Sequence, residues 1–149
     1  MGTVLQQPVA VQPATGRELK SLGVIHKLTG AQTGGAYYLC EAIFGPESGS
    51  PLHIHHHEDE VIYVLEGAIE IRLVDETLHV PAGGIVHLPK GIPHALYNPL
   101  QSSLKILVHT VPAGLEHYFD EVEAALQDGS LDDTTHTKIS MKYGLEWLQ

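Results

Sequence analysis

Two clusters of histidine near the middle of the chain contain the residue types that bind a divalent metal ion. The first cluster is His53-Ile54-His55, followed by Glu60, and the second supplies His94. Neutral imidazoles and a carboxylate suit Fe, Ni, Mn, Co, Cu and Zn, so the pattern predicts a divalent transition metal as the cofactor. An ion that keeps coordination positions free beside these ligands can hold water or a substrate, as catalysis by a metal requires.

Strand alternation predicts how these donors come together. Side chains two residues apart on a strand share a face, so His53 and His55 point the same way. Glu60 follows a predicted turn and opens the next strand, from which its carboxylate can reach the two imidazoles. His94 opens a later strand, after a turn that contains Pro89 and Gly91. The sequence therefore predicts that the four donors face one cavity.

Other histidines lie near these clusters and have less certain roles. His57 has the same parity as the two strand histidines and could reach the cavity, although an exposed histidine in a turn is the commoner outcome. His87 and His109 lie on later predicted strands. A role in lining the cavity and a structural, hydrogen-bonded role both stay open for them.

The segments around the clusters predict a β-rich domain. From Gly23 to Val111, short runs rich in β-branched and aromatic residues alternate with Gly, Pro, Asn and Asp, a spacing that favours a sandwich or barrel. After this region, apolar residues at helical spacing predict a helix that ends before Gly129. Its predicted apolar face consists of Leu115, Tyr118, Phe119, Val122 and Leu126. A shorter helix ending at Gly144 and an extended finish are expected after it.

We divide the chain accordingly into three parts. Residues 1–21 form an N-terminal arm, residues 22–112 a barrel, and residues 113–149 a helical C-terminal extension.

Composition limits the partners and the cellular location. The formal net charge of −10 repels phosphate backbones and anionic lipid, so neither nucleic acid nor a membrane is an expected partner. The single cysteine, Cys40, lies in an apolar stretch and is expected to be a core residue. The N-terminal residues lack the pattern of a secretory signal, so we expect a cytoplasmic protein.

The two clusters resemble the two motifs of the cupin superfamily. The first motif, His-x-His, four residues, Glu, six residues and Gly, matches from His53 to Gly67. The second, Gly, five residues, Pro-x-Gly, two residues, His, three residues and Asn, matches from Gly83 to Asn98. One position departs from the family, because Glu47 stands where the first motif opens with Gly.

This resemblance implies an all-β fold, the double-stranded β-helix or jelly-roll barrel of cupins, with an α-helical segment at the C-terminus. It also implies the metal ligands His53, His55, Glu60 and His94. Cupins of this size commonly pair barrel to barrel, so the resemblance implies a homodimer.

The order of barrel, PAGLEHYFDEV helix and KYGLEW segment resembles small bacterial quercetin 2,3-dioxygenase-like cupins. The resemblance implies a dioxygenase for a small flavonol- or diketone-like substrate. Glu60 would then be both a metal ligand and the general base that accepts the proton of the substrate hydroxyl.

Two other classes of function remain open. One is a metal-dependent isomerase, epimerase or decarboxylase, and the other is a non-enzymatic protein that binds a small molecule. The barrel region contains few basic residues, among them Arg72, Lys90 and Lys105, so strongly anionic ligands are disfavoured.

Overall fold

The fold comes from a computed structural model that describes residues 6–148. Eleven strands and three helices follow one another along the chain: β1 (Arg17–Leu19), β2 (Val24–Leu28), α1 (Gly30–Thr33), β3 (Tyr38–Phe44), β4 (His53–His55), β5 (Asp59–Glu66), β6 (Ala68–Arg72), β7 (Thr77–Pro81), β8 (Ile85–Leu88), β9 (Ala95–Tyr97), β10 (Leu104–Val111), α2 (Leu115–Gln127), α3 (Asp133–Lys142) and β11 (Leu145–Trp147).

The strands form antiparallel sheets, as the cupin resemblance implies. A six-stranded sheet has the order β1-β2-β3-β10-β5-β8, a three-stranded sheet has the order β7-β6-β9, and β4 pairs with β11. The predicted all-β architecture with C-terminal helices is confirmed. No helix in the described part of the chain has the length and apolar character needed to cross a membrane.

Alternation along the strands builds the core between the sheets. On β10, Leu104, Ile106 and Val108 are buried while the residues between them are less so. Each such aliphatic side chain contributes about 1.5–3 kcal/mol through burial. On β5 the same alternation places Glu60 on the inward face with Ile62, so a carboxylate enters an otherwise apolar interior.

The C-terminal extension closes over the strand that carries two of the predicted ligands. Strand β11 pairs antiparallel with β4, so that Leu145 lies opposite His55 and Trp147 lies opposite His53. Helix α2 forms where the apolar spacing predicts it. Leu126, however, is 41% exposed, and its predicted place on the buried face was wrong.

The end of the predicted N-terminal arm belongs to the large sheet. Residues 17–19 form β1, and Arg17 lies opposite His26 on β2. Residues 6–16 contain no strand or helix. Residues 1–5 of the predicted arm lie outside the described residues.

Candidate metal centre

Three separate segments bring the predicted ligands together. Strand β4 turns His53 and His55 to the same buried face, and the start of β5 supplies Glu60. His94 lies just before β9, where its backbone exchanges two hydrogen bonds of 2.9 Å with that of His53. All four side chains are at most 5% exposed. We refer to these four residues as the candidate metal centre.

The distances between the donor atoms fit a metal ion. His94 Nε2 lies 3.1 Å and His55 Nε2 lies 3.4 Å from Glu60 Oε2. His53, His55 and His94 each offer one donor atom, and these three atoms lie within 4.8 Å of one another. Around an ion with bonds of about 2.1 Å, adjacent donors are about 3–3.4 Å apart. The two contacts of Glu60 fall in this range, and the histidine donors lie close enough together to share one first-row divalent ion.

Hydrogen bonds at Nδ1 orient two of the imidazoles. His53 Nδ1 lies 2.8 Å from the carbonyl oxygen of Pro51, and His94 Nδ1 lies 3.1 Å from that of Ile92. A carbonyl only accepts, so each Nδ1 carries the hydrogen and each Nε2 keeps a lone pair. This is the tautomer that binds a metal.

A buried carboxylate orients the third imidazole. His55 Nδ1 lies 2.7 Å from Glu58 Oε1, and Glu58 is almost fully buried. Such a carboxylate–histidine pair fixes the ring and makes the ligating nitrogen more basic. Glu58 was not among the site residues that the sequence predicted. The available signal was a carboxylate three residues after a ligand, inside the unassigned stretch of the first motif.

The electrostatics favour the ligand forms of Glu60 and His53. Burial alone would raise the pKa of Glu60, but the close contact with His94 and the positive charge of the nearby imidazoles when they are protonated lower it to about 2. Burial and the neighbouring His94 lower the pKa of His53 to about 4. Glu60 is therefore ionised and His53 neutral near pH 7. For His55, Glu58 and Glu60 outweigh the effect of burial and raise the pKa.

An apolar cavity of about 240 Å³ adjoins the candidate metal centre. His53, His55 and Glu60 contribute to one part of its wall, and residues of β3, α2 and β11 contribute to the rest. The ring of Trp147 lies 4.8 Å from that of His53, measured between centroids. The donors thus face a space that can hold a small organic molecule.

Three further histidines do not reach this cavity. His57 is exposed, and its ring lies against Gly144. His87 is exposed on the outer face of β8. His109 is half-buried on the outer face of β10, where its ring lies 5.2 Å from that of Tyr37. The structure therefore places all three away from the donors.

Cys40 lies in the core, as expected, and also lines the cavity. Burial raises the pKa of its thiol to about 12, so it is neutral near pH 7. A neutral thiol is a poor nucleophile, and Cys40 acts here as a small wall residue.

The motif residues outside the donor set hold the surrounding loops. Asn98 is fully buried, and its amide nitrogen donates to the carbonyl oxygens of Gly45 and Ser102 at 2.9 and 2.8 Å. Glu47 has a φ of 50°, in the left-handed region that favours glycine. Glu47 thus has a backbone conformation that a glycine would adopt without strain.

Comparison with known proteins gives one family. The model of the cupin domain family matches residues 41–110, a range that contains all four donors. The chain is 35% identical over 74 residues to an uncharacterized protein of Methanocaldococcus jannaschii, covering 50% of this chain and 59% of that protein. It is 26% identical over 93 residues to quercetin 2,3-dioxygenase of Bacillus subtilis, covering 62% of this chain and 27% of the enzyme. The chain thus spans less than two thirds of these relatives.

Solved structures share the fold. The cupin domain of Schizosaccharomyces pombe Cnp3 superimposes with a TM-score of 0.59 at 14% identity, covering 83% of this chain and 77% of that one. A putative ethanolamine utilization protein Q of Salmonella typhimurium superimposes with a TM-score of 0.54 at 26% identity, covering 62% and 71%.

Proposed function

Because the chain carries a cupin domain, we propose that it is a metal-dependent dioxygenase for a small flavonol- or diketone-like compound. The observation that carries the proposal is the meeting of three buried histidines with the buried Glu60 beside an apolar cavity, whose wall includes His53, His55 and Glu60. The likeness to quercetin 2,3-dioxygenase of Bacillus subtilis supports the choice of reaction.

The residues of the centre have separate tasks in this reaction. When bound, a divalent ion would act as a Lewis acid that polarises the oxygens of an enol or phenol and lets them react with dioxygen. The three histidines hold the ion through Nε2, and Glu58 fixes the ring of His55. Glu60 accepts the proton of the substrate hydroxyl on its carboxylate. The apolar wall keeps water away from the reacting carbons.

Oxygen consumption tests this proposal directly. The protein is stripped of metal, reloaded separately with Fe, Ni, Mn or Co, and mixed with a panel of diketones and flavonols in an oxygen-electrode cell. We expect oxygen uptake that depends on both metal and substrate. If no metal gives uptake while panel compounds still bind, the protein is not a dioxygenase for them. Isomerisation or decarboxylation without oxygen uptake would favour the non-oxidative alternative.

The base role of Glu60 requires its own variant. Glu60→Gln keeps the size of the side chain and an oxygen ligand but cannot accept a proton. We expect turnover to fall by about 10²- to 10⁴-fold while metal content is largely kept. The matched control is Glu66→Gln at the exposed end of the same strand, which should leave turnover unchanged. Full turnover by Glu60→Gln would remove the base role.

We also propose that the chain forms a homodimer through the outer face of the six-stranded sheet. Tyr63 on β5 lies opposite Ile85 on β8, and these side chains are 37% and 64% exposed. Exposed apolar residues that adjoin one another often mark an interface. Analytical ultracentrifugation should detect a dimer that Ile85→Glu converts to a monomer. A wild-type monomer at all concentrations would remove this proposal.

A further inference from the structure

The size of the cavity limits what it can hold. Its volume is about 240 Å³, whereas sites for drug-sized ligands have roughly 300–1,000 Å³. An apolar cavity of about 150 Å³ suffices for one benzene ring. The space beside the candidate metal centre lies below that range, so it suits one ring with a short substituent better than the three rings of a flavonol.

The phenylalanines and the tryptophan of the chain lie around this space. The sequence contains two phenylalanines and one tryptophan, and all three, Phe44, Phe119 and Trp147, line the cavity. They come from β3, α2 and β11, so each side of the wall offers a ring. Aromatic rings pack well against one another in offset and edge-to-face arrangements. The wall therefore favours a ligand that is itself a ring.

The charges of the cavity wall favour a ligand that is uncharged where it contacts the apolar residues. Within the described residues, no lysine or arginine lines the cavity, and its one charged side chain is the carboxylate of Glu60. Placing an ionised group among apolar walls without a partner is costly. The polar atoms of a ligand must therefore lie at the end near His53, His55 and Glu60.

We propose that the cavity selects an uncharged compound with a single ring and one oxygen-bearing end that chelates the metal, such as an enolisable aryl diketone, and that it excludes flavonols. This inference rests on the proposed function, because the chelating end needs the metal. Of the flavonol- and diketone-like compounds proposed above, it restricts the substrate to diketones that carry one ring.

Binding to the zinc-loaded protein tests the inference apart from turnover, because zinc has no redox chemistry. The probes are acetylacetone, benzoylacetone and dibenzoylmethane, which share one diketone end and carry no ring, one ring and two rings. Isothermal titration calorimetry should show benzoylacetone binding at least about tenfold more tightly than either neighbour. The ring gains contacts that acetylacetone lacks, and the second ring of dibenzoylmethane meets the wall.

A larger cavity should reverse the selection against two rings. Phe119→Ala removes a ring from the wall and should raise the affinity for dibenzoylmethane at least about tenfold. Phe119 also packs against Tyr38 and Tyr118, so Phe44→Ala serves as a second variant. Val74→Ala removes an exposed apolar side chain from the loop between β6 and β7, away from the cavity, and is the control, with no change expected.

A charged probe tests the second half of the inference. Benzoylacetone with a carboxylate on its ring should bind at least about tenfold more weakly than benzoylacetone. Equal binding of these two compounds would overturn the inference, as would equal binding of dibenzoylmethane or a flavonol by the wild type. Zinc binding without binding of any probe would also overturn it while leaving the metal centre in place. A protein that takes up no zinc would overturn the proposed function and this inference with it.

Discussion

The molecule contains a second cluster in which a buried histidine contacts a carboxylate, and it contrasts with the candidate metal centre. His26 on β2 is almost fully buried, and its Nδ1 lies 2.5 Å from the hydroxyl of Tyr38. Its Nε2 lies 2.9 Å from Asp120 on α2, which also binds Arg17 through two short contacts. We call these four residues the closed cluster, because both ring nitrogens of its single histidine contact protein groups and it contains no second imidazole.

The contrast shows that burial alone does not identify a metal ligand. Histidines in both clusters are buried, but those of the candidate metal centre use Nδ1 for the protein and direct Nε2 toward one another and Glu60. The closed cluster gains its stability from its own hydrogen bonds. The candidate metal centre brings together a carboxylate and three imidazoles, a set of donors that a bound cation would stabilise.

Removing a ligand should give the largest difference between the two clusters. His94→Ala deletes the donor that lies nearest to Glu60, and we expect metal affinity to fall by more than about 100-fold. Metal competition assays and metal-dependent thermal shifts measure this loss. His57→Ala, which alters the exposed neighbour of the same motif, should bind metal as the wild type does. Wild-type affinity in His94→Ala would mean that this histidine is not a ligand.

The matching change in the closed cluster should act on stability instead. His26→Ala leaves the hydroxyl of Tyr38 without its partner and creates a small cavity, which should cost roughly 2–3 kcal/mol of unfolding free energy. Denaturant unfolding of the metal-free protein measures this cost. Metal affinity of the folded variant should be unchanged. A loss of metal with unaltered stability would reverse the roles that we assign to the two clusters.

Substitutions of Glu58 test whether this carboxylate supports metal binding through His55. Asp120, the carboxylate of the closed cluster, should have no such effect on metal affinity. Glu58→Ala removes the acceptor at His55 Nδ1 and should lower metal affinity by about 10- to 100-fold. Glu58→Gln keeps an acceptor oxygen and should lose less. Glu66→Ala on the exposed end of β5 is the control. If Glu58→Ala loses stability but no affinity, Glu58 has a structural role only.

The two clusters also differ in how well the sequence predicts them. His53, His55 and Glu60 lie on two strands that follow one another in the chain, although these strands belong to different sheets. Alternation decides which face each side chain occupies, so the local spacing predicts their meeting. His26 and Asp120 are separated by 94 residues. No local pattern links a strand residue to a helix residue at that distance, so the closed cluster was not predictable. The position of β11 over β4 depends on long-range packing in the same way, and this pairing brings Trp147 to the cavity.

The closed cluster should also make the unfolding free energy depend on pH, by less than the changes predicted above. Burial would raise the pKa of Asp120, but the hydrogen bonds from Arg17 and His26 lower it below its usual range. A carboxyl group with a depressed pKa stabilises the fold above its unfolded pKa of about 3.9, and this contribution is lost as the pH falls through the folded value. The difference in unfolding free energy between the wild type and Asp120→Asn should be about 1 kcal/mol or less at pH 7. It should shrink below about pH 4, and a difference that grows there would contradict the assignment.

The smallest expected change in unfolding free energy concerns the backbone at Glu47, in the loop between β3 and β4. Glu47 is exposed and has a left-handed φ of 50°, which costs an ordinary residue about 1–2 kcal/mol. Glycine removes this strain but adds about 0.5–1 kcal/mol of conformational freedom to the unfolded chain. Glu47→Gly should therefore raise the unfolding free energy by roughly 0.5 kcal/mol. Glu76→Gly, at an exposed glutamate without a positive φ, should lower it, because there glycine adds freedom and relieves no strain. Equal losses in the two variants would show that the left-handed conformation of Glu47 is not strained, and the missing motif glycine would then have no cost for this fold.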